Sequence, residues 1–269
     1  MRVALCQISA SSRPSVNLGR VQSSLTTARA QGSDLAIFPE ATQVRFSADL
    51  RTVAEPLDGP FCTGLSAAAA SSGVALVAGV FEPAPDQRVY NTTVAFDAAG
   101  QLTAFYRKIH LFDALGQRES EMVAPGAELV LAKLAGIKIG FLTCYDVRFP
   151  ELARELAVRG ADLIVIPSAW AAGLLKEEHW VTLVRARAIE NTIWVAAAGQ
   201  VPDPDEPPTT AATGVGRSML VDPMGTVRLD LGSGPEVATG TVDTDMTARV
   251  RAVLPCLQNR RPEIFAATT

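Results

Sequence analysis

GSDLAIFPEA at residues 32–41 and GADLIVIPSA at residues 160–169 share one frame: Gly-x-Asp-Leu, three apolar residues, then Pro. Upstream of each lies another apolar run, RVALCQI at 2–8 and IKIGFLT at 137–143. The chain between run and echo has helical spacing. In the second copy it reads PELARELAVRG, with Leu152, Leu156 and Arg159 on successive turns, Pro150 suited to a helix start and Gly160 to its stop. Each half therefore reads as strand, helix, strand, a crossover that favours parallel strands in one sheet. The strands are apolar throughout rather than alternating, so both of their faces are covered. The expectation is an α/β fold of two related halves, with helices outside and two sheets facing each other.

Further strands are expected at 74–81, 89–97, 102–107, 193–199 and 217–222. Residues 113–128 and 200–213 are rich in Gly, Pro and charge and read as loops, neither of them a linker between domains. One domain over 1–258 is expected, followed by a polar tail at 259–269.

Composition narrows the function. With 48% hydrophobic and 19% charged residues, the chain can bury a large core and is not of the disordered class. A net charge of −4 without a basic run argues against nucleic acid as a partner. Cys6, Cys62, Cys144 and Cys256 are widely separated, and His110 and His179 are the only histidines, so no metal-ligand cluster is legible. The opening MRVALCQISA lacks the pattern of a signal peptide, and no apolar run has the length of a membrane span. A cytoplasmic protein with free thiols is expected, so the glycosylation-type triplet NTT at 91–93 carries no meaning.

Ligand sites in parallel α/β sheets gather at the carboxyl ends of strands. Three reactive side chains fall there: Glu40 after DLAIFP, Lys108 after LTAFYR, and Cys144 after KIGFLT. Taken singly, each has a plainer reading: a packed thiol, a solvated strand end, a turn carboxylate. Taken together, their chemistry is complementary. A thiol attacks as thiolate, so a base must remove its proton. Glu40 suits that role if burial strengthens it as a base, and the Lys108 cation favours the thiolate. Lys108 and the backbone N–H of Tyr145 can then stabilise the oxyanion of a tetrahedral intermediate, a combination that suits amide hydrolysis. His110 and His179 read as structural. In KEEHWVTLVRARAIEN (176–191), Trp180, Leu183, Val184 and Ile189 fall near one helical face and read as core or dimer packing. No P-loop, full GxGxxG or GxSxG motif occurs.

At these residues the sequence resembles the nitrilase superfamily of carbon–nitrogen hydrolases. The matching pieces are FPE (38–40), YRKIHLFD (106–113) and CYDVRFPE (144–151), supported by 178–200 and GRSMLVDPMGTV (216–227). The resemblance implies Glu40 as general base, Lys108 as transition-state stabiliser and Cys144 as nucleophile. It also implies a fourth residue, Glu119, ahead of Pro125-Gly126, that positions Lys108 and substrate; the neighbouring Glu121 reads as a solvated charge. The implied fold is a four-layer αββα sandwich with two pseudo-symmetric halves, assembled as a homodimer or larger homo-oligomer, without metal or organic cofactor.

Cys-Tyr-Asp-Val-Arg-Phe-Pro, with YRKIHLFD, is similar to the omega-amidase and deaminated-glutathione amidase branch, whose substrates are amides that also carry a carboxylate. Arg148 is then one candidate for that carboxylate, against a helix-start salt bridge to Glu151 or Asp146. The reading is an amidase that cleaves a small linear amide through a cysteine thioester. An N-carbamoyl-amine hydrolase or a nitrilase would keep the nucleophile and change the scissile bond, and a non-catalytic metabolite-binding homologue is the alternative of another class.

Overall fold

The structure, a computed structural model, describes residues 1–46, 49–207 and 211–264. The first half runs β1 (Arg2–Gln7), α1 (Pro14–Ala30), β2 (Leu35–Ile37), α2 (Leu50–Val53), α3 (Pro60–Ser72), β3 (Ala75–Pro83), β4 (Val89–Phe96), β5 (Leu102–Arg107) and the short β6 (Val123–Ala124). The second runs β7 (Leu131–Leu134), β8 (Ile137–Phe141), α4 (Pro150–Val158), β9 (Leu163–Ser168), α5 (Lys176–Asn191), β10 (Trp194–Gly199), β11 (Met219–Val221), β12 (Val227–Asp230), β13 (Glu236–Thr241) and α6 (Thr244–Val253).

One sheet has the order β13-β1-β2-β3-β4-β5, with β6 beside β4; the other has β7-β8-β9-β10-β11-β12. β1, β2 and β3 are mutually parallel, as are β8, β9 and β10, and the outer strands of both sheets are antiparallel. The echo in sequence is thus a repeat in topology, Leu35 pairing with Val3 as Leu163 pairs with Ile139. β13 is the exception to local order. It leaves the second half to close the edge of the first sheet, pairing with β1 from Arg2↔Thr241 to Gln7↔Glu236. No apolar run announces EVATGT, because most of it stays partly exposed at that edge. β7 and β12, also sheet edges, escaped the sequence pattern for the same reason.

Side chains alternate across each strand, and here both sides are dry. Val3, Leu5, Leu35, Ile37, Ile139, Phe141, Leu163 and Val165 face the space between the sheets. Ala4, Cys6, Ala36 and Phe38 pack outward with residues of α1 and α3, and Ile164, Ile166 and Val195 with residues of α4 and α5. The layers are αββα. Pro150 opens α4 as expected, while Arg159 is its exposed cap, paired with Glu155 at 2.7 Å. On α5, Trp180 and Val184 are buried, but Ile189 is exposed. Of the tail, residues 259–264 include a single 3-10 turn, Pro262–Ile264; 265–269 lie outside the described residues.

Candidate active site

Glu40, Lys108 and Cys144 each leave a strand at the same end of the two sheets, and the packing there draws them together. β2 ends at Ile37, and the chain turns over β3 through Ala41, whose φ is +55°. Gly79 makes that turn possible: a Cβ there would stand 2.5 Å from Ala41 N and 2.8 Å from Glu40 Cα. Gln200 secures the turn from the other sheet, its Nε2 donating to Glu40 O at 3.0 Å. Lys108 follows β5, where Gly126 N–H donates to Lys108 O at 2.8 Å. A Cβ on Gly126 would collide with Arg107 O at 2.1 Å, which explains the Pro-Gly at 125–126.

Cys144 opens a 3-10 turn, Cys144–Arg148, with φ of +48°. A non-glycine residue in that region is strained by about 1–3 kcal/mol and persists only where its surroundings over-determine it. Asp146 supplies the constraint. Fully buried, it accepts from Thr143 N (2.9 Å), Tyr106 Oη (2.7 Å) and His110 N (3.0 Å), and its Oδ1 lies 2.9 Å from His110 Nδ1. The His110 ring stacks on Phe149 at 3.5 Å between centroids. His110 is therefore a strut between the Lys108 loop and the Cys144 turn.

Two carboxylates share one ammonium. Lys108 Nζ donates to Glu40 Oε1 at 2.9 Å and to Glu119 Oε1 and Oε2 at 3.0 and 2.8 Å; Lys108 and Glu40 are almost fully buried and Glu119 is partly buried. Ala169 N donates to Glu40 Oε2 at 2.8 Å, and Phe112 N to Glu119 Oε2 at 2.6 Å. Burial opposes the charge on Lys108, but Glu119 first and Glu40 next outweigh it, so the ammonium persists well above the ordinary lysine range. Glu121 lies outside the cluster, exposed and 3.5 Å from Arg118. Cys144 is the opposite case. Burial, and after it the charge of Glu40, push its thiol far up, with Lys108 and the Ser168 hydroxyl acting the other way. At rest Cys144 is a thiol, and nucleophilic attack by it would require a base beside it.

Asn91 was not among the residues the sequence singled out. Its Nδ2 donates to Glu40 Oε1 at 2.7 Å and to Glu119 Oε1 at 3.1 Å, bridging the carboxylates. The triplet that looked like a glycosylation signal begins with this buried amide, inaccessible in the fold.

A cavity of about 190 Å³ opens onto Glu40, Lys108, Glu119 and Cys144. Its walls are largely apolar, including Phe46, Phe112, Met122 and Trp170. Tyr145 lines it too, and its N–H has no acceptor among the described residues. Arg148 is not among the residues that line the cavity, and among the described residues it forms no salt bridge with Glu151 or Asp146. Its guanidinium lies 4.8 Å over the Trp170 ring, and Nη2 sits 3.3 Å from His179 Nδ1. Asp146 is already committed to the nucleophile turn, which leaves Arg148 to stack on the aromatic surface. Among the described residues, no group of three or more His, Cys, Asp or Glu side chains is disposed to hold a metal ion, and no helix is long and apolar enough to cross a membrane.

The chain is similar to known proteins over nearly its whole length. A hydrolase of Mycobacterium tuberculosis is 42% identical over 97% of this chain and 95% of its own length. The deaminated glutathione amidase of Escherichia coli O157:H7 is 36% identical over 87% and 88%. The amidase from Nesterenkonia sp. AN1, in a structure with the acetamide moiety of fluoroacetamide added covalently at its active site cysteine, superposes with a TM-score of 0.82 at 27% identity, covering 98% of this chain and 95% of that one. The carbon-nitrogen hydrolase family model matches residues 2–252. An enzyme that hydrolyses carbon–nitrogen bonds, of amidase type, this chain belongs to the carbon-nitrogen hydrolase family of the nitrilase superfamily.

Proposed function

We propose that the protein hydrolyses the amide of a small, linear, carboxylate-bearing molecule through a thioester on Cys144. The observation that carries the reading is the buried Glu40–Lys108–Glu119 cluster, joined by hydrogen bonds of 2.8–3.0 Å, at the base of the cavity that holds Cys144. The cavity is smaller than the roughly 300–1,000 Å³ typical of drug-sized ligands, which favours a short substrate.

Sγ of Cys144 attacks the amide carbon while Glu40 takes the thiol proton, and the carbonyl π pair moves onto oxygen. Tyr145 N–H and the Lys108 ammonium face that oxyanion. Its collapse breaks the C–N bond; Glu40 returns the proton to nitrogen, and ammonia leaves. Water then adds to the thioester carbon with its proton passing to Glu40, and the second collapse expels the sulfur, which recovers that proton and frees the acid. Glu119 and Asn91 hold Lys108 and Glu40 in register and enter no bond change.

The test is ammonia release from a panel of short amides by the native protein and by Cys144→Ala, with intact mass after rapid acid quench. An acyl adduct on native protein alone, and ammonia that depends on Cys144, are expected; ammonia at the native rate from Cys144→Ala refutes the mechanism. A homodimer belongs to the same proposal. Val158 on α4 and Ile189 on α5 are exposed apolar side chains on the outer helices, and sedimentation of native protein against Val158→Arg tests it.

A further inference from the structure

The segment Gly173-Leu174-Leu175-Lys176 is folded against its own polarity. A surface turn entering a helix would ordinarily bury the leucines and solvate the lysine. Here Leu174 is 91% exposed and Leu175 60% exposed, while Lys176 is only 4% exposed. The inversion is enforced by backbone strain, since Leu175 caps α5 in the left-handed region with φ of +57° and no side-chain cap. Trp170 fixes the result, its Nε1 donating to Lys176 O at 2.6 Å.

Among the described residues, the inward-turned ammonium is held by aromatic faces alone. Nζ lies 4.1 Å from the Trp170 ring centroid and 4.7 Å from that of Phe112. Both rings and Lys176 line the same cavity as Cys144. Among the described residues no carboxylate pairs with Lys176, and residues 47–48, 208–210 and 265–269 include no acidic side chain. Burial pulls its pKa down, so the protonated form is held at a cost that an anion would offset. Lys108 differs in this respect, being already matched by two carboxylates.

The charge layout orients a ligand. Glu40 and Glu119 around a single ammonium make the reacting end of the cavity hostile to an anion, whereas Lys176 adds an uncompensated positive charge to the same cavity. We infer that Lys176 is the carboxylate anchor of this site: it binds the acid end of an amide-acid and so presents the neutral amide to Cys144. This inference rests on the amidase reading for the reaction, and on the geometry alone for the anion subsite.

The test compares glutaramate with the neutral amide in which an isopropyl group replaces its carboxylate. A charge-assisted hydrogen bond lost inside a protein costs about 10- to 100-fold in binding. Lys176→Met should therefore lower the ratio of kcat/KM for glutaramate over the neutral amide by about that factor, chiefly through KM, and Lys176→Arg should restore part of it. The ratio controls for folding, because a partly unfolded variant loses both substrates alike. A second measurement separates the inference from the reading beneath it: calorimetric binding of glutaramate to Cys144→Ala, with and without Lys176→Met. Ammonia that depends on Cys144, with a ratio moved less than about twofold, overturns the anchor and leaves the amidase standing. Glutaramate binding that depends on Lys176, without turnover of either amide, overturns the amidase reading and keeps the anchor. Neither turnover nor binding overturns both.

Discussion

Glu40→Gln should move the chemistry of Cys144 in two opposite directions. The carboxylate accepts from Lys108 and Asn91 at Oε1 and from Ala169 N–H at Oε2. A glutamine can accept at only one end, so one of its orientations faces its amide toward Lys108 and Asn91 and the other faces it toward Ala169. Either leaves a buried donor unpaired, at about 1–3 kcal/mol of stability. Loss of the proposed general base removes a further 10²–10⁴-fold, roughly, from amide turnover. The same exchange deletes the charge that, after burial, does most to hold the thiol protonated, and it leaves Lys108 in place. A charge within about 4–6 Å changes an ionisation equilibrium by roughly 10- to 1,000-fold. Labelling of Cys144 by a small neutral thiosulfonate at alkaline pH should therefore accelerate at least about tenfold while amidase activity collapses. Peptide mass spectrometry separates Cys144 from Cys256, the less buried thiol, and from the fully buried Cys6 and Cys62. If labelling slows in step with turnover, Glu40 does not set the ionisation of the thiol and the electrostatic account fails.

Glu119→Gln removes the larger of the two charges that outweigh burial at Lys108. A lysine is charged below its pKa, so lowering that pKa moves the alkaline limb of the pH–rate profile to lower pH; an unmoved limb counts against Glu119 as the support of Lys108. Asp146→Asn should cost about 2–4 kcal/mol in urea unfolding, because a carboxylate holding four bonds at the nucleophile turn becomes an amide with one acceptor. Gly79→Ala should lower activity at least about tenfold at a stability loss of only about 1–3 kcal/mol, because the new methyl presses on the backbone of Glu40 and Ala41. Activity within twofold of native would mean the turn absorbs the methyl.

What could be read in advance follows the range of the signal. The repeat, the parallel crossovers and the strand ends bearing Glu40, Lys108 and Cys144 are local patterns, and they survive into the fold. Glu119 was reached only through resemblance, since nothing in the polar loop RESEM at 118–122 distinguishes it from Glu121. β13 was illegible because its partner, β1, lies at the other end of the chain and its side chains are half exposed. Asn91 and Lys176 were hidden differently. One sits in a β-strand of otherwise ordinary composition, and the other begins a helix whose pattern speaks of packing; only the tertiary structure turns the first to the two carboxylates and the second to the cavity. Arg148, two residues beyond Asp146, was the candidate legible in sequence for a carboxylate; a 3-10 turn sets its guanidinium over the Trp170 ring.

The repeat explains why the site is asymmetric. In the echoed segments Glu40 corresponds to Ser168, each immediately after the shared proline, and Ala41 to Ala169. The copies meet at Glu40, whose carboxylate accepts from the N–H of Ala169. The paired strands show the same division, because the register that matches Val3 with Ile139 sets Ile8 where the other half has Cys144. In the proposed mechanism one copy contributes the base and keeps an apolar residue at the nucleophile position; the other contributes the nucleophile and replaces the base by a small hydroxyl. Neither half holds both partners of the proton transfer. The apolar layer between the sheets therefore does more than stabilise the fold. By fixing one sheet on the other it sets the distance between Glu40 and Cys144, and a misplacement of about 1 Å there can cost about 100-fold in rate. Substitutions deep in that layer, such as Phe141→Ala, should accordingly lower turnover in protein that remains folded, through the geometry of a site they do not touch.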